Sequence, residues 1–303
     1  MRDDRWRSVT LVPWGRTGKG GGMAAKSKSY VTGVGAAIWL AMVGSLAVPA
    51  AAAGPHPQRI VSLNLCADQY LLALADRSQI AALSRNAPDP ELSAAAAETA
   101  GLRIVKGSAE EVLMLRPDLV VGTQGRRSMV MAALAGEHYA TLDLPSADSY
   151  DAILAQIRLV ARAVGHRERG EALIASMNRQ LAAIRRPRRG GVAAYYQRRG
   201  YLTGTGTLID DLMRRTGLVN LATKLGKPAL SQISLEELMV ARPDYLIVET
   251  ATDRVTDQGT EMLHHPLLRR IKRLRLPQAW TVCGGPTYVD AARSLARQLD
   301  GDR

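Results

Sequence analysis

The chain has 303 residues, 47% hydrophobic and 22% charged, which is enough apolar mass for one large or two medium domains and excludes disorder of the whole chain. Its net charge of +12 raises nucleic acid or an anionic membrane surface as a partner. Two cysteines exclude a disulfide-rich scaffold and an all-cysteine zinc site, and leave one bridge or two separate thiols.

The first predicted element is a targeting segment. Lys26 and Lys28 precede a long uncharged stretch rich in Val, Ala, Leu, Ile and Gly, and a run of four alanines ends at Ala53. A basic start, an apolar middle and a small-residue exit are typical of a secretory signal peptide. An uncleaved anchor helix is the competing interpretation, but the glycines and alanines favour cleavage. We therefore expect residues 1–53 to be a leader and the rest of the chain to act outside the cytoplasm.

Loss of the leader changes the charge argument. Residues 1–53 hold seven of the 40 Lys+Arg and two of the 28 Asp+Glu, which leaves +7 on residues 54–303. That excess is concentrated in residues 149–189, where four arginines lie within 185–189. These arginines mark either a polyanion site or, as we favour, an exposed helix end, where cations suit the helix dipole. We expect no nucleic-acid partner.

The first half of the remaining chain alternates short strands with helices. The predicted strands lie at 59–63, 80–83, 102–105, 119–121 and 140–142, and the predicted helices at 69–75, 109–115 and 129–134. Such alternation is typical of an α/β lobe with a mainly parallel sheet. We place this lobe at residues 54–148.

A connecting helix and a second lobe follow. Residues 149–189 have an almost continuous helical pattern, broken at Gly165 and His166, and the part from Arg167 would be roughly 30 Å long if straight. Residues 190–303 return to the α/β alternation. Its predicted strands lie at 192–196, 245–248 and 279–282, and its predicted helices at 208–216, 234–241 and 288–299.

A repeated segment relates the two lobes. Ser108-Ala-Glu-Glu-Val-Leu-Met-Leu-Arg-Pro-Asp recurs 126 residues later as Ser234-Leu-Glu-Glu-Leu-Met-Val-Ala-Arg-Pro-Asp. Each serine is placed to cap a helix, the glutamates suit its positive first turn, and each proline stops the helix before a strand. The repeat predicts two lobes of similar design joined by a helix.

This pattern resembles the periplasmic substrate-binding proteins of ABC importers, in the helical-backbone class that carries vitamin B12, ferric siderophores and haem. The resemblance covers essentially the chain after the leader. It rests on Arg59-Ile-Val-Ser-Leu-Asn at the start, the paired repeat, the connecting helix, and Cys283-Gly-Gly-Pro before the last helix. It implies two Rossmann-like lobes with mainly parallel sheets, bridged by one long helix, with a ligand cleft between them.

The same resemblance implies a function. It points to a non-enzymatic periplasmic receptor with no intrinsic cofactor that delivers a cobalt or iron chelate to an ABC permease with a cytoplasmic ATPase. We expect a monomer, and we rank a corrinoid slightly ahead of a ferric siderophore or haem. The family docks onto permease arginines through one exposed glutamate per lobe, and motif by motif these are Glu110 and Glu236, which also suit a helix-capping role.

Ligand contacts are expected where the strands end, because loops and helix N-termini converge there. The candidates are Asn64, Cys66, Arg85, Gln124 and Arg126 in the first lobe, and Tyr196, Arg198, Trp280, Cys283 and Gly284 in the second. The two aromatic side chains offer flat faces to a macrocycle or pack in the core. The arginines pair with ligand carboxylates or phosphates, or remain solvated.

The two cysteines distinguish this chain, because the family does not generally require either. Cys66 and Cys283 are compatible with three states: unlinked cleft residues, a disulfide between the lobes, or thiolates that touch the ligand's metal. We expect a bridge to lock the cleft, which fits poorly with ligand exchange. The alternative function is an exported α/β enzyme with a cleft cysteine as nucleophile, although no base is placed beside either one. We expect no metal site of the protein's own.

Overall fold

A computed structural model describes residues 56–123, 139–185 and 190–301. The predicted leader, the helix predicted at 129–134, and the candidates Gln124 and Arg126 lie outside these ranges. Within them, no helix has the length and apolar character needed to cross a bilayer.

The first lobe consists of β1 (Ile60–Ser62), α1 (Leu65–Leu74), β2 (Ile80–Ser84), β3 (Ile104–Val105), α2 (Ala109–Met114), β4 (Leu119–Thr123) and β5 (Ala140–Leu144) among the described residues. Its strands form a parallel sheet in the order β3-β2-β1-β4-β5. Successive strand residues face opposite sides. Val61 and Val120 therefore pack towards α2, while Ile60, Leu119 and Val121 face the main core.

The connector is a pair of helices, where the sequence predicted one long helix with a break. Helices α3 (Tyr150–Ala163) and α4 (Arg167–Ala182) are joined by a tight turn at Gly165, whose φ is +86°. Arg158 on α3 binds Glu171 on α4 through two hydrogen bonds of 2.8 and 3.0 Å. The two helices therefore run antiparallel, and α4 spans about 24 Å, less than the roughly 30 Å expected.

The strands of the second lobe are β6 (Val192–Tyr195), β7 (Tyr201–Thr203), β8 (Val219–Asn220), β9 (Leu230–Gln232), β10 (Tyr245–Glu249) and β11 (Lys272–Leu276). Four of them form a parallel sheet in the order β11-β10-β6-β8, and β7 and β9 form a separate antiparallel pair. Its helices are α5 (Leu208–Arg215), α6 (Leu221–Lys224), α7 (Leu235–Ala241), α8 (Gln258–Glu261) and α9 (Tyr288–Asp300). One buried cluster joins residues of both lobes and the connector, so the lobes share a core.

The strand predicted at 279–282 is wrong. Gln278–Trp280 is a single 3-10 turn, and the last strand of the sheet is β11. The sequence pattern does not indicate β11, because the strand lies at the sheet edge and three of its five residues are the cations Lys272, Arg273 and Arg275. Only Leu274 and Leu276 are buried, so the segment has little of the apolar signal of a central strand.

The repeated segment has the same structure in both lobes. Ser108 accepts a hydrogen bond from the Glu111 backbone at 3.2 Å, and Ser234 accepts one from the Glu237 backbone at 3.1 Å. Both capping predictions are therefore confirmed.

The ends of the two repeats also match. Arg116 and Arg242, each just before proline, have φ values of 45° and 49°. Asp118 then accepts the backbone N–H of Arg59 at 2.9 Å, and Asp244 accepts that of Val192 at 2.7 Å. The repeat therefore ties α2 and α7 each to the first strand of its own lobe.

Candidate ligand cleft

A cavity of about 400 Å³ lies between the lobes at the carboxyl ends of the strands. Leu144 ends β5, Tyr195 ends β6 and Glu249 ends β10, and all three line it. Loops converge at this edge of a parallel sheet, and the volume falls in the range of ordinary ligand sites. This cavity is therefore the candidate ligand site.

A disulfide between Cys66 and Cys283 forms part of the cavity wall. Cys66 lies in the first turn of α1, and Cys283 lies in the loop between β11 and α9, 217 residues away, with 5.4 Å between the two Cα atoms. Of the three states compatible with the sequence, the structure contains the bridge. The cavity exists with the bridge in place, so a link between the lobes does not fill or close the cleft. Neither sulfur is a free thiol that would ligate a metal or act as a nucleophile.

The bridge is supported by close packing around Gly284. The hydroxyl of Tyr70 on α1 donates to the Gly284 carbonyl at 2.7 Å. A Cβ on Gly284 would lie 2.5 Å from the Cβ of Ala147, so no larger residue fits there without a shift. The loop after β5 thus packs directly against the loop that carries Cys283, and the two lobes meet beside the cleft.

Tyr195 and Glu249 form the main polar pair of the cleft. The Tyr195 hydroxyl donates to Glu249 Oε1 at 2.9 Å, and the Gln197 amide lies 3.5 Å from the same oxygen. Burial, followed by the charge of Glu249, raises the pKa of Tyr195 above its ordinary value. Tyr195 is therefore a neutral phenol at physiological pH.

The remaining lining is mixed. Hydroxyls and amides come from Ser146, Gln156, Gln197, Thr203, Thr207, Gln278 and Thr281, apolar surface from Leu144, Pro145, Leu208, Ile209 and Val282, and charge from Asp148 and Glu249. Gln156 donates its side-chain amide to the Pro145 carbonyl, which holds the loop after β5. The charged members of the described lining are thus both carboxylates.

Three of the ligand candidates predicted from sequence, Cys66, Cys283 and Gly284, line this cavity. Five others lie elsewhere: Asn64, Arg85, Tyr196, Arg198 and Trp280. Gln124 and Arg126 lie outside the described residues.

The structure places the other polar candidates in local roles. Asn64 caps α1 by accepting from the Ala67 backbone at 3.0 Å. Arg198 pairs with Asp257 on the surface, and Arg85 is exposed just after β2.

The two aromatic candidates pack in the protein. Tyr196 is 1% exposed and lies in the core of the second lobe, and Trp280 packs half-buried against the main core. Tyr195, the residue before Tyr196, faces the cleft instead, because adjacent residues at a strand end point to opposite sides.

Several residues of the cavity lining were not among the candidates predicted from the sequence. Glu249 and Tyr195 end strands that were predicted, so the strand-end rule that selected Tyr196 also applies to them. Residues 145–148 fell at the expected boundary between lobe and connector, and Gln278 and Thr281 near a strand that does not exist. These residues reach the cavity only because loops far apart in the chain pack together, and no local sequence pattern indicates that packing.

The two predicted docking glutamates lie away from the cavity. Glu110 and Glu236 are exposed at the second residue of α2 and α7. Hydrogen bonds from its own backbone N–H and from Ser234, together with the nearby His265, lower the pKa of Glu236. Both side chains are exposed and therefore accessible to a partner.

Comparisons with known proteins agree with this architecture. The profile of the family described as periplasmic binding protein matches residues 60–275. Curated cobalamin-binding proteins from two strains of Halobacterium salinarum are each 24% identical to the chain over 210 residues. The match covers 66% of this chain and 56% of the relative, so the chain spans little more than half the length of these relatives.

Two solved structures show the same fold. The apo form of a periplasmic haem-binding protein from Roseiflexus sp. RS-1 has 26% identity and a TM-score of 0.64, over 80% of this chain and 98% of that one. A periplasmic vitamin B12-binding protein from Vibrio cholerae has 17% identity and a TM-score of 0.60, over 82% and 99%. At 17% identity the second likeness concerns the fold alone.

Proposed function

Since the chain belongs to the periplasmic binding protein family, we propose that it captures a metal chelate in the periplasm and presents it to an ABC import permease. Residues 1–53 serve as the cleaved signal peptide. The protein has no catalytic role in this proposal, and its cleft sulfurs are bonded to each other and not available as nucleophiles.

The chemistry of the cleft lining favours a corrinoid as the chelate. The lining combines amide and hydroxyl side chains with apolar ones, and the charged members of the described lining are the carboxylates Asp148 and Glu249. A corrinoid carries neutral carboxamide arms that exchange hydrogen bonds with such groups, while haem carries two propionates that these carboxylates repel. The choice of a corrinoid rests on this observation: the described lining contains neutral and acidic side chains and no basic ones.

The comparisons support a tetrapyrrole more broadly. The curated relatives are named for cobalamin and the 26% identical structure for haem, and both ligands are planar macrocycles. Leu208, Ile209 and Val282 supply apolar surface for such a ring. The choice between corrinoid and haem therefore depends on the ligand's edge, where their charges differ.

Delivery to the permease uses the two exposed glutamates. Glu110 and Glu236 occupy equivalent positions of the repeat on opposite lobes. Cationic side chains of the permease would complement them without touching the cleft, so ligand capture and docking proceed on separate surfaces.

A thermal-shift panel tests the ligand. We expect cyanocobalamin and dicyanocobinamide to raise the unfolding midpoint, with smaller shifts from haemin and ferric desferrioxamine, because bound ligand stabilises the folded state. Thr281→Trp, which places a large ring in the cavity, should remove the shift, and Leu230→Gln, on an exposed side chain outside the cavity lining, should keep it. No shift with any of the four chelates would contradict the proposal.

A further inference from the structure

We propose that Met114 and Val240 are apolar anchors for the permease, each working with the glutamate one helical turn before it. The inference rests on the proposed function and names what its docking surface contains beyond the two carboxylates. Each lobe then presents one composite contact, Glu110 with Met114 on α2 and Glu236 with Val240 on α7.

The exposure of these two residues singles them out. Met114 is 75% exposed and Val240 is 82% exposed, and no other large hydrophobic side chain in the described residues exceeds 58%. Single exposed apolar residues are ordinary on protein surfaces. Here, however, the two largest exposures fall at equivalent positions of the repeat, 126 residues apart and on opposite lobes.

Helix geometry places each anchor beside its glutamate. Residues four apart on a helix lie on the same face, and a helical side chain leans towards the preceding turn. Met114 therefore leans towards Glu110, and Val240 towards Glu236. The opposite face of each helix is held in the core by Val112 and Leu238, which are also equivalent in the repeat and fully buried.

Both helices are held firmly at their two ends. Ser108 and Ser234 cap the starts, and the left-handed residues Arg116 and Arg242 close the ends. Asp118 and Asp244 then tie the chain to the first strand of each lobe, as described above. The two contacts are thus presented by rigid elements, so little conformational entropy is lost when a partner binds.

The chemistry of the contacts defines the partner's surface. Two equivalent contacts fit a partner with two equivalent sockets, each with a cation next to an apolar recess, as in a permease built from two like subunits. A surface ion pair by itself contributes little affinity, whereas burying a large apolar side chain contributes more. The glutamates therefore orient the complex, and Met114 and Val240 supply affinity that salt does not screen.

The test measures binding of the protein, loaded with cyanocobalamin, to the permease and ATPase complex reconstituted in nanodiscs. We expect the double variant Met114→Gln with Val240→Gln to bind about tenfold or more weaker, with the wild-type salt dependence. Glu110→Gln with Glu236→Gln should bind weaker at low salt and lose most of that dependence. Leu230→Gln, which removes another exposed apolar side chain (58% exposed), is the matched control and should bind like wild type.

The outcomes separate this inference from the proposed function. Weakened binding by both double variants, with chelate binding and thermal midpoints unchanged, supports the inference. Weakened binding by the glutamate variant alone overturns the apolar anchors and leaves the docking function standing. An equal loss with Leu230→Gln also overturns them. If wild type does not bind the permease at all, the proposed function itself fails.

Discussion

At the residue scale, the chemistry of the cleft depends on which side chain a strand end turns towards it. Tyr195 and Tyr196 are adjacent, yet the first bonds to Glu249 in the cleft and the second is enclosed in the core. The sequence predicted an aromatic group at this strand end. It selected Tyr196, whereas Tyr195 faces the cleft, because both neighbours fit an apolar strand and the sequence does not show which side each one faces.

The carboxylates of the cleft lining should weaken the binding of anionic ligands. Glu249→Gln keeps an acceptor for the Tyr195 hydroxyl and removes a negative charge from the cleft. We expect haemin to bind about fivefold tighter, since a charge at this range is worth on the order of 1 kcal/mol, while cyanocobalamin changes less than about twofold. Titration of each chelate, monitored by its visible absorbance, measures both effects.

The control for this prediction is Glu98→Gln, an exposed glutamate that does not line the cavity. It should leave both affinities unchanged. Unchanged haemin binding in Glu249→Gln would show that this carboxylate does not select against anionic ligands.

At the element scale, the connector shows how a small residue determines helix packing. Gly170 on α4 is buried against α3, and a Cβ at this position would lie 2.5 Å from the Cβ of Ala161. The glycine weakens the helix locally but permits the close approach of the pair. The break at Gly165 was visible in the sequence, whereas the role of Gly170 depends on a residue in the other helix.

Helix propensity and packing oppose each other at this position. Gly170→Ala gains about 1 kcal/mol of helix propensity, but the clash with Ala161 costs about 1–3 kcal/mol or forces the helices apart. We expect a net loss in the free energy of unfolding, measured by urea denaturation. Adding Ala161→Gly should recover part of it, because the added methyl then has room. A more stable single variant would mean that the helices separate freely.

At the scale of the whole molecule, the disulfide links the lobes and makes their separation energetically costly. Cys66 and Cys283 are 217 residues apart, so the bridge closes most of the described chain into one loop. A long closed loop restricts the unfolded state strongly. The cleft lies beside this link, so we expect its opening to be a small movement about the bridge.

Removing the bridge tests its contribution to stability. The double variant Cys66→Ser with Cys283→Ser should lose about 4 kcal/mol in the free energy of unfolding. Wild type treated with reductant should lose a similar amount, and the double variant should not respond to reductant. Thiol titration of unreduced, unfolded wild type should find no free thiol. Equal stability of the variant and wild type would contradict the expected role.

Much of the fold could be predicted because its signals are local along the chain. Helix caps at Ser108 and Ser234 depend on residues three positions away. Most central strands carry short apolar runs, and the alternation of strands and helices indicates parallel sheets. The edge strand β11 was not predicted because three of its five residues are charged, which hides the apolar pattern of a strand.

The sequence by itself therefore determined the two-lobed α/β design, the repeated capped helices and the family. Only the tertiary structure decided that Cys66 bonds to Cys283 and that Tyr195 and Glu249 line the cleft. It also decided that Met114 and Val240 are highly exposed to solvent. Capping and periodicity act between near neighbours and can be read from a short window. Pairing and exposure arise between segments far apart in the chain, and these are fixed only when the lobes pack together.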